Sequence, residues 1–214
     1  ERAVELGLEL GNLYEDALEE PHQAADAYAK VLEHIEDDER ATSGLERILG
    51  LTDEKAEIAT VLCGVYRGRE NWAGLAQMTE ILLDTTHDPS ERIVAQRDLS
   101  VLYEEHLDDA ATAVKWALSA LQEAPGDVDL LEQVVRLSAA TRAYGDALEI
   151  VRALRDGALG ETRQRLSLAA AHIATWAGDR DGGMRDALGA CGAVRKWSAA
   201  AGQALEELLS VGPD

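Results

Sequence analysis

Apolar residues recur along this chain at intervals of three and four, the period of a helix buried on one side, and the β-branched and aromatic clusters that mark strands are missing. Residues 99–125 show the pattern twice. Leu99, Leu102, Tyr103 and Leu107 form one stripe, Asp108-Asp109 interrupts it, and Ala113, Ala117, Ala120 and Leu121 form a second that stops at Pro125-Gly126. The same reading predicts helices over 2–18, 21–35, 38–49, 53–67, 71–84, 90–107, 109–123, 128–141, 145–156, 161–177, 180–192 and 194–211, about 12 in all. The expected core stripe of the first is Leu6, Leu10, Leu13, Tyr14 and Leu18. Turn residues between these segments are few, so consecutive helices fold back on one another as hairpins.

Shifting the chain by 89 residues lays Leu10, Leu13, Tyr14, Glu15 and Leu18 on Leu99, Leu102, Tyr103, Glu104 and Leu107. Without a gap, Ala24, Leu32 and Asp38 then fall on Ala113, Leu121 and Asp127. An ungapped match across two helices and two turns marks a repeat architecture, in which each hairpin buries its apolar face on its neighbours. The residues resemble the tetratricopeptide repeat. Leu10-Gly11-Asn12-Leu13-Tyr14 matches that family's Leu-Gly-x-x-Tyr element, and Leu62-Cys63-Gly64-Val65-Tyr66 and Leu99-Ser100-Val101-Leu102-Tyr103 match it with Cys or Ser in the glycine place. Residues 113–125 match the small-residue second helix and its closing Pro. The turns after Tyr14 and Tyr103 look one residue longer than the family's, and the helix at 38–49 has no clear place in a regular array.

The resemblance implies an all-α, right-handed superhelix of antiparallel helical hairpins, a single α-solenoid over 1–214 with clear repeats to 156 and divergent repeats or capping helices from 161. It also implies a protein-binding scaffold, with ligands on the concave face formed by the first helix of each pair. On that face the register places Leu8, Asn12, Glu15 and Asp16, then Thr60 and Arg67, then Arg97, Val101, Glu104 and Glu105, then Glu132 and Arg136. Asn12, Glu15, Asp16, Arg67, Arg97, Glu104, Glu105 and Arg136 are the expected partner-binding residues. One branch of the family grips a C-terminal carboxylate with several basic residues at such places; here Asn12, Arg67, Arg97 and Arg136 are scattered and outweighed by acids.

Composition narrows the partner. The net charge of -21 is concentrated in residues 1–109, which carry 27 Asp/Glu against 9 Lys/Arg. That balance disfavours nucleic acid and anionic membranes and suits a basic protein or peptide, although an acidic surface also serves solubility alone. The alternative role is a structural spacer or self-associating segment of a longer array, joined through its terminal helices. No His stands four residues from another, and no nucleophile–base motif or phosphate loop occurs, so neither a metal, a cofactor nor an enzyme is indicated. Cys63 and Cys191 are spaced as separate small core residues rather than as a disulfide framework. Tyr14, Tyr66, Tyr103, Trp72 and Trp116 sit in stripes and are expected to pack, whereas Trp197 is the expected exposed contact. The chain opens in mid-helix without Met, as a piece of a larger bacterial-type repeat protein would; a cytoplasmic setting is favoured, with no targeting signal to assign it.

Overall fold

The computed structural model describes residues 2–53 and 55–192. The expected helix at 194–211 and Trp197 lie outside them, as does the side chain of Cys191. Eleven α-helices fill the described chain, with no strand among those residues. They are α1 (Arg2–Asp16), α2 (Pro21–His34), α3 (Glu39–Ile48), α4 (Lys55–Gly68), α5 (Trp72–Thr85) and α6 (Pro89–Val101), whose last turn widens into a π-helical turn over Leu102–His106. Then follow α7 (Ala110–Glu123), α8 (Val128–Thr141), α9 (Tyr144–Gly157), α10 (Gly160–Trp176) and α11 (Arg180–Gly192). The chain forms two compact units, Glu1–Ala95 and Gln96–Asp214.

The 89-residue shift carries further than its first two helices. It lays α2 on α7 and α4 on α9 end for end, and α3 on the first ten residues of α8. The N-caps correspond as well: Asp38 accepts from the amides of Arg40 and Ala41, and Asp127 from that of Leu130. Helix α3, which had no place in a regular array, is therefore the counterpart of α8. It packs on α2 as α8 packs on α7, and buries Leu45 and Ile48 where α8 buries Val134 and Leu137.

The longer turns are real and have a shared geometry. Leu18 N–H donates to Leu13 O and Leu107 N–H to Leu102 O, each five residues back, so the extra residue is absorbed as a π turn at the end of the first helix. Glu19 and Asp108 then take left-handed backbone with φ of 54° and 53°, one residue before the next helix is capped. Glu70 and Arg142 do the same at φ 55° and 57°. Non-glycine residues thus make turns whose conformation glycine usually supplies, at a strain of about 1 kcal/mol or more each.

One face of α1 differs from expectation. Leu6, Leu10, Leu13 and Leu18 are 43–56% exposed, and Val4, Leu8 and Gly11 are the buried residues of the helix. Leu8, expected on the ligand face, is therefore core. The reason is the close approach of α2. A Cβ on Gly7 would stand 2.7 Å from Val31, and one on Gly11 would stand 2.4 Å from the ring of Tyr28, so the small residues of α1 face inward. At the corresponding positions of the second unit Leu99 and Leu102 are buried. The hairpin of the second unit follows the expected register, with Ser100 Oγ donating to Ala113 O across it at 2.9 Å.

The two units solve the same crossing differently. In the first, the Tyr28 ring lies between Gly11 and Gly44; a Cβ on Gly44 would stand 2.5 Å from its far edge. Shifted by 89, these three residues are Ser100, Ala117 and Gln133. There the large side chain comes from α8, and Gln133 Nε2 donates to Ser100 Oγ at 3.0 Å. Bulk has moved from the second helix to the third with the backbone arrangement kept.

Candidate partner-binding site

Most of the charged residues expected to meet a partner are engaged within the chain. Glu15 accepts a fork of two hydrogen bonds from Arg47, Nε to Oε1 and Nη2 to Oε2, both 2.8 Å. Its Oε2 also accepts from the Tyr28 hydroxyl at 2.9 Å, while Asn12 Oδ1 accepts from the same hydroxyl at 2.8 Å. The Arg47 hydrogen bonds hold the Glu15 carboxyl below the usual carboxylate range. Burial, and then the hydrogen bond to Glu15, push the Tyr28 phenol up to about 12. Asp16, beside this cluster, is exposed.

The second unit repeats the pair at the same shift. Glu104 takes the forked contact from Arg136, with Nη2 to Oε2 at 2.9 Å, and its carboxyl is likewise held low by that guanidinium. Glu105 next to it is exposed and adds to the field that keeps Arg136 charged. Arg97 donates to Asp127 Oδ2 at 3.0 Å, tying α6 to the cap of α8. Arg67 is exposed near the end of α4. Glu15 and Glu104 are thus half-buried, forked partners of arginines that sequence reasoning either missed (Arg47) or assigned elsewhere (Arg136). Carrying the 89-residue shift one helix further, from Arg47 to Arg136, is the signal that would have found both pairs.

Beside Arg136 lies a groove of about 590 Å³ between α8 and α10, which pack on one another. Val128, Leu131 and Val135 come from α8, and Leu168, Ala169 and Trp176 from α10. Glu132, Arg136, Arg165 and His172 supply its polar groups. Trp176 is 45% exposed, and its ring lies 6.0 Å from that of His172 at an angle of 43°. Each helix places residues three and four apart on one wall, so the groove runs along both helices. An apolar floor with a few charged groups at its edge is suited to taking side chains of a bound segment. Among the described residues no three His, Cys, Asp or Glu are grouped to hold a metal ion, and no helix is long and apolar enough to cross a membrane. Cys63 is a free thiol, pushed up by burial.

No family model and no curated protein matches the chain. Among solved structures it is similar to YrrB, a TPR protein with an unusual peptide-binding site, at 18% identity and a TM-score of 0.43, covering 92% of this chain and 99% of that one. It is similar to PilW, a type IV pilus biogenesis factor, at 14% identity and a TM-score of 0.41, covering 96% and 99%. A tetratricopeptide repeat protein from Parabacteroides merdae matches at 14% identity and a TM-score of 0.36, over 97% and 86%. The helical-repeat fold itself rests on the packing and the 89-residue periodicity described above.

Proposed function

We propose that the chain is a protein-binding scaffold whose second unit takes an amphipathic segment of a partner protein in the groove between α8 and α10. The observation that carries this reading is the apolar floor of Leu131, Val135 and Leu168 beside a half-exposed Trp176. Burying one Leu-sized side chain there contributes about 1.5–3 kcal/mol, and an exposed aromatic residue in a groove is the usual anchor of such contacts. The partner is basic overall. The charge of -21 steers it to the surface, and Asp16, Glu105 and Glu132 remain as exposed carboxylates after Glu15 and Glu104 are taken up by arginines. The role is binding rather than catalysis.

The test is selection of random dodecapeptides on the immobilised chain, followed by calorimetry with the enriched peptides. Enriched sequences are expected to carry aliphatic or aromatic anchors and net positive charge. Trp176→Ala and Val135→Glu are each expected to weaken binding about tenfold or more while leaving the thermal midpoint within a few degrees. Unchanged affinity in both variants refutes the groove, and acidic enriched peptides refute the basic partner. A second reading, self-association, is favoured by the exposed leucine stripe of α1 alone. A monomeric mass in light scattering at 100-fold concentration range refutes it; a dimer that Leu10→Glu dissociates supports it.

A further inference from the structure

A second cavity, about 430 Å³, opens among α9, α10 and α11, on residues that the α8–α10 groove does not use. Its charge is opposite to that of the chain as a whole. Arg152, Arg155, Arg163 and Arg185 line it, with Asp156 and Asp186.

Two of the arginines are fixed. Asp186 is 5% exposed, and its Oδ2 accepts from Arg152 Nε at 3.0 Å and Nη2 at 2.7 Å. Its Oδ1 accepts from Arg155 Nη1. Asp179 and Asp156 contact the same two guanidinium groups from outside the pair. Three carboxylates therefore answer Arg152 and Arg155. The field of Arg185 also reaches Asp179, but among the described residues no carboxylate is in ion-pair contact with Arg163 or Arg185. Among the described residues the guanidinium of Arg163 meets no acceptor, and that of Arg185 reaches only the backbone oxygen of Asp181, 3.3 Å from its Nε. Both are exposed at the cavity mouth.

The local balance is four cations against three anions, one positive charge in a chain of net -21. The backbone is also fitted to the arrangement. A Cβ on Gly182 would fall 2.7 Å from Arg152 Nη2 and 1.9 Å from Asp179 Oδ2, so a side chain there would displace both groups from their present positions. Gly189, farther along α11, leaves the space beside Ser167 open.

We infer that this cavity binds a carboxylate group, received in a forked contact by Arg163 and Arg185 and oriented by the Asp186-fixed pair behind them. A single residual positive charge suits a carboxylate monoanion better than a phosphate dianion, and a guanidinium presents parallel N–H donors at carboxylate spacing. The carboxylate belongs either to a free organic acid or to a Glu side chain of a bound segment.

The test uses the whole chain labelled with 15N at arginine Nε. It is titrated in parallel with propionate and with the peptide acetyl-Gly-Glu-Gly-amide. Saturable shifts of the Arg163 and Arg185 Nε–H signals by either ligand support the site, and the tighter of the two identifies its source. Arg163→Gln with Arg185→Gln is expected to weaken binding at least tenfold. Arg40→Gln, an exposed arginine of α3, is expected to leave it unchanged. Three results overturn the inference: no saturation by 50 mM of either ligand, equal affinity in the double variant, or tighter binding of inorganic phosphate at equal ionic strength.

Discussion

Gly11→Ala tests the packing on which the repeat reading depends. The new Cβ would stand 2.4 Å from Tyr28 Cε1 and 2.7 Å from Cζ. Ordinary carbon contacts lie at about 3.5–4.0 Å, so the ring would have to retreat by roughly 1 Å. It has nowhere to go. Its far edge already rests on Gly44, and its hydroxyl is held by Asn12 and Glu15. Overpacking of this kind costs about 1–3 kcal/mol, and a pinned ring puts the cost near the top of that range. Alanine returns about 1 kcal/mol through helix propensity, leaving a net loss of about 2 kcal/mol. For a chain of this size that is a fall of about 4–8 °C in Tm. Tyr28→Ala removes the obstacle, so in that background Gly11→Ala should stabilise by about 1 kcal/mol, an interaction of about 3 kcal/mol in the double-mutant cycle. Urea melts of the four proteins read both numbers. A Gly11→Ala variant as stable as the parent, or one with the same effect in both backgrounds, refutes the account of the crossing.

The forked pairs predict a pH dependence. The Glu15 carboxyl is lowered in the folded chain, so its contribution is complete above the ordinary carboxylate pKa and is lost as pH falls through the lower native value. Glu15→Gln should therefore cost about 0.5–1 kcal/mol at pH 7 in a urea melt, discounted for the half-exposed Arg47, and nothing at pH 2; an equal cost at both pH values contradicts the ion pair. Ser100→Ala removes the hydroxyl that joins Ala113 O to Gln133 Nε2 inside the second unit and should cost about 1–2 kcal/mol. If Gln133→Ala in that background costs as much as it does alone, the three groups do not form one network.

Helix positions and the repeat were legible in the sequence because they depend on period alone, and period survives substitution. Which face of α1 is buried was not, because apolar residues mark a stripe without saying what lies opposite. Gly7 and Gly11 admit α2 so closely that the inner face is the one with small residues, and the leucines turn outward. The internal partners of the candidate binding residues were hidden in a related way. Spacing places Glu15 and Glu104 on one side of a helix, but their arginine partners lie 32 residues further on, beyond any local pattern. The left-handed turns at Glu19, Glu70, Asp108 and Arg142 were equally hidden, since none carries the glycine that usually marks such a place.

The two copies agree where the fold is made and differ where a partner could be read. Both have the π turn, the capping Asp at the third helix and the forked Glu–Arg pair. The groove walls do not correspond. The groove residues Val128, Leu131 and Val135 of α8 stand, at the 89-residue shift, where α3 has Glu39, Thr42 and Glu46. In the first unit this face is closed by its own hydrogen bonds: the Tyr66 hydroxyl donates to Glu46, and Arg69 Nη2 donates to Thr42 Oγ1 at 3.3 Å and to Asp37 O at 2.6 Å. Thr42 and Glu46 spend hydrogen bonds within the chain and offer less to a ligand, whereas Leu131 and Val135 at the same places present apolar groups to the groove. On the proposed reading, the same backbone is a self-contained spacer in one copy and a receptive groove in the other. Binding of a partner segment would then reside in the second unit, and the acidic first unit would act through its charge.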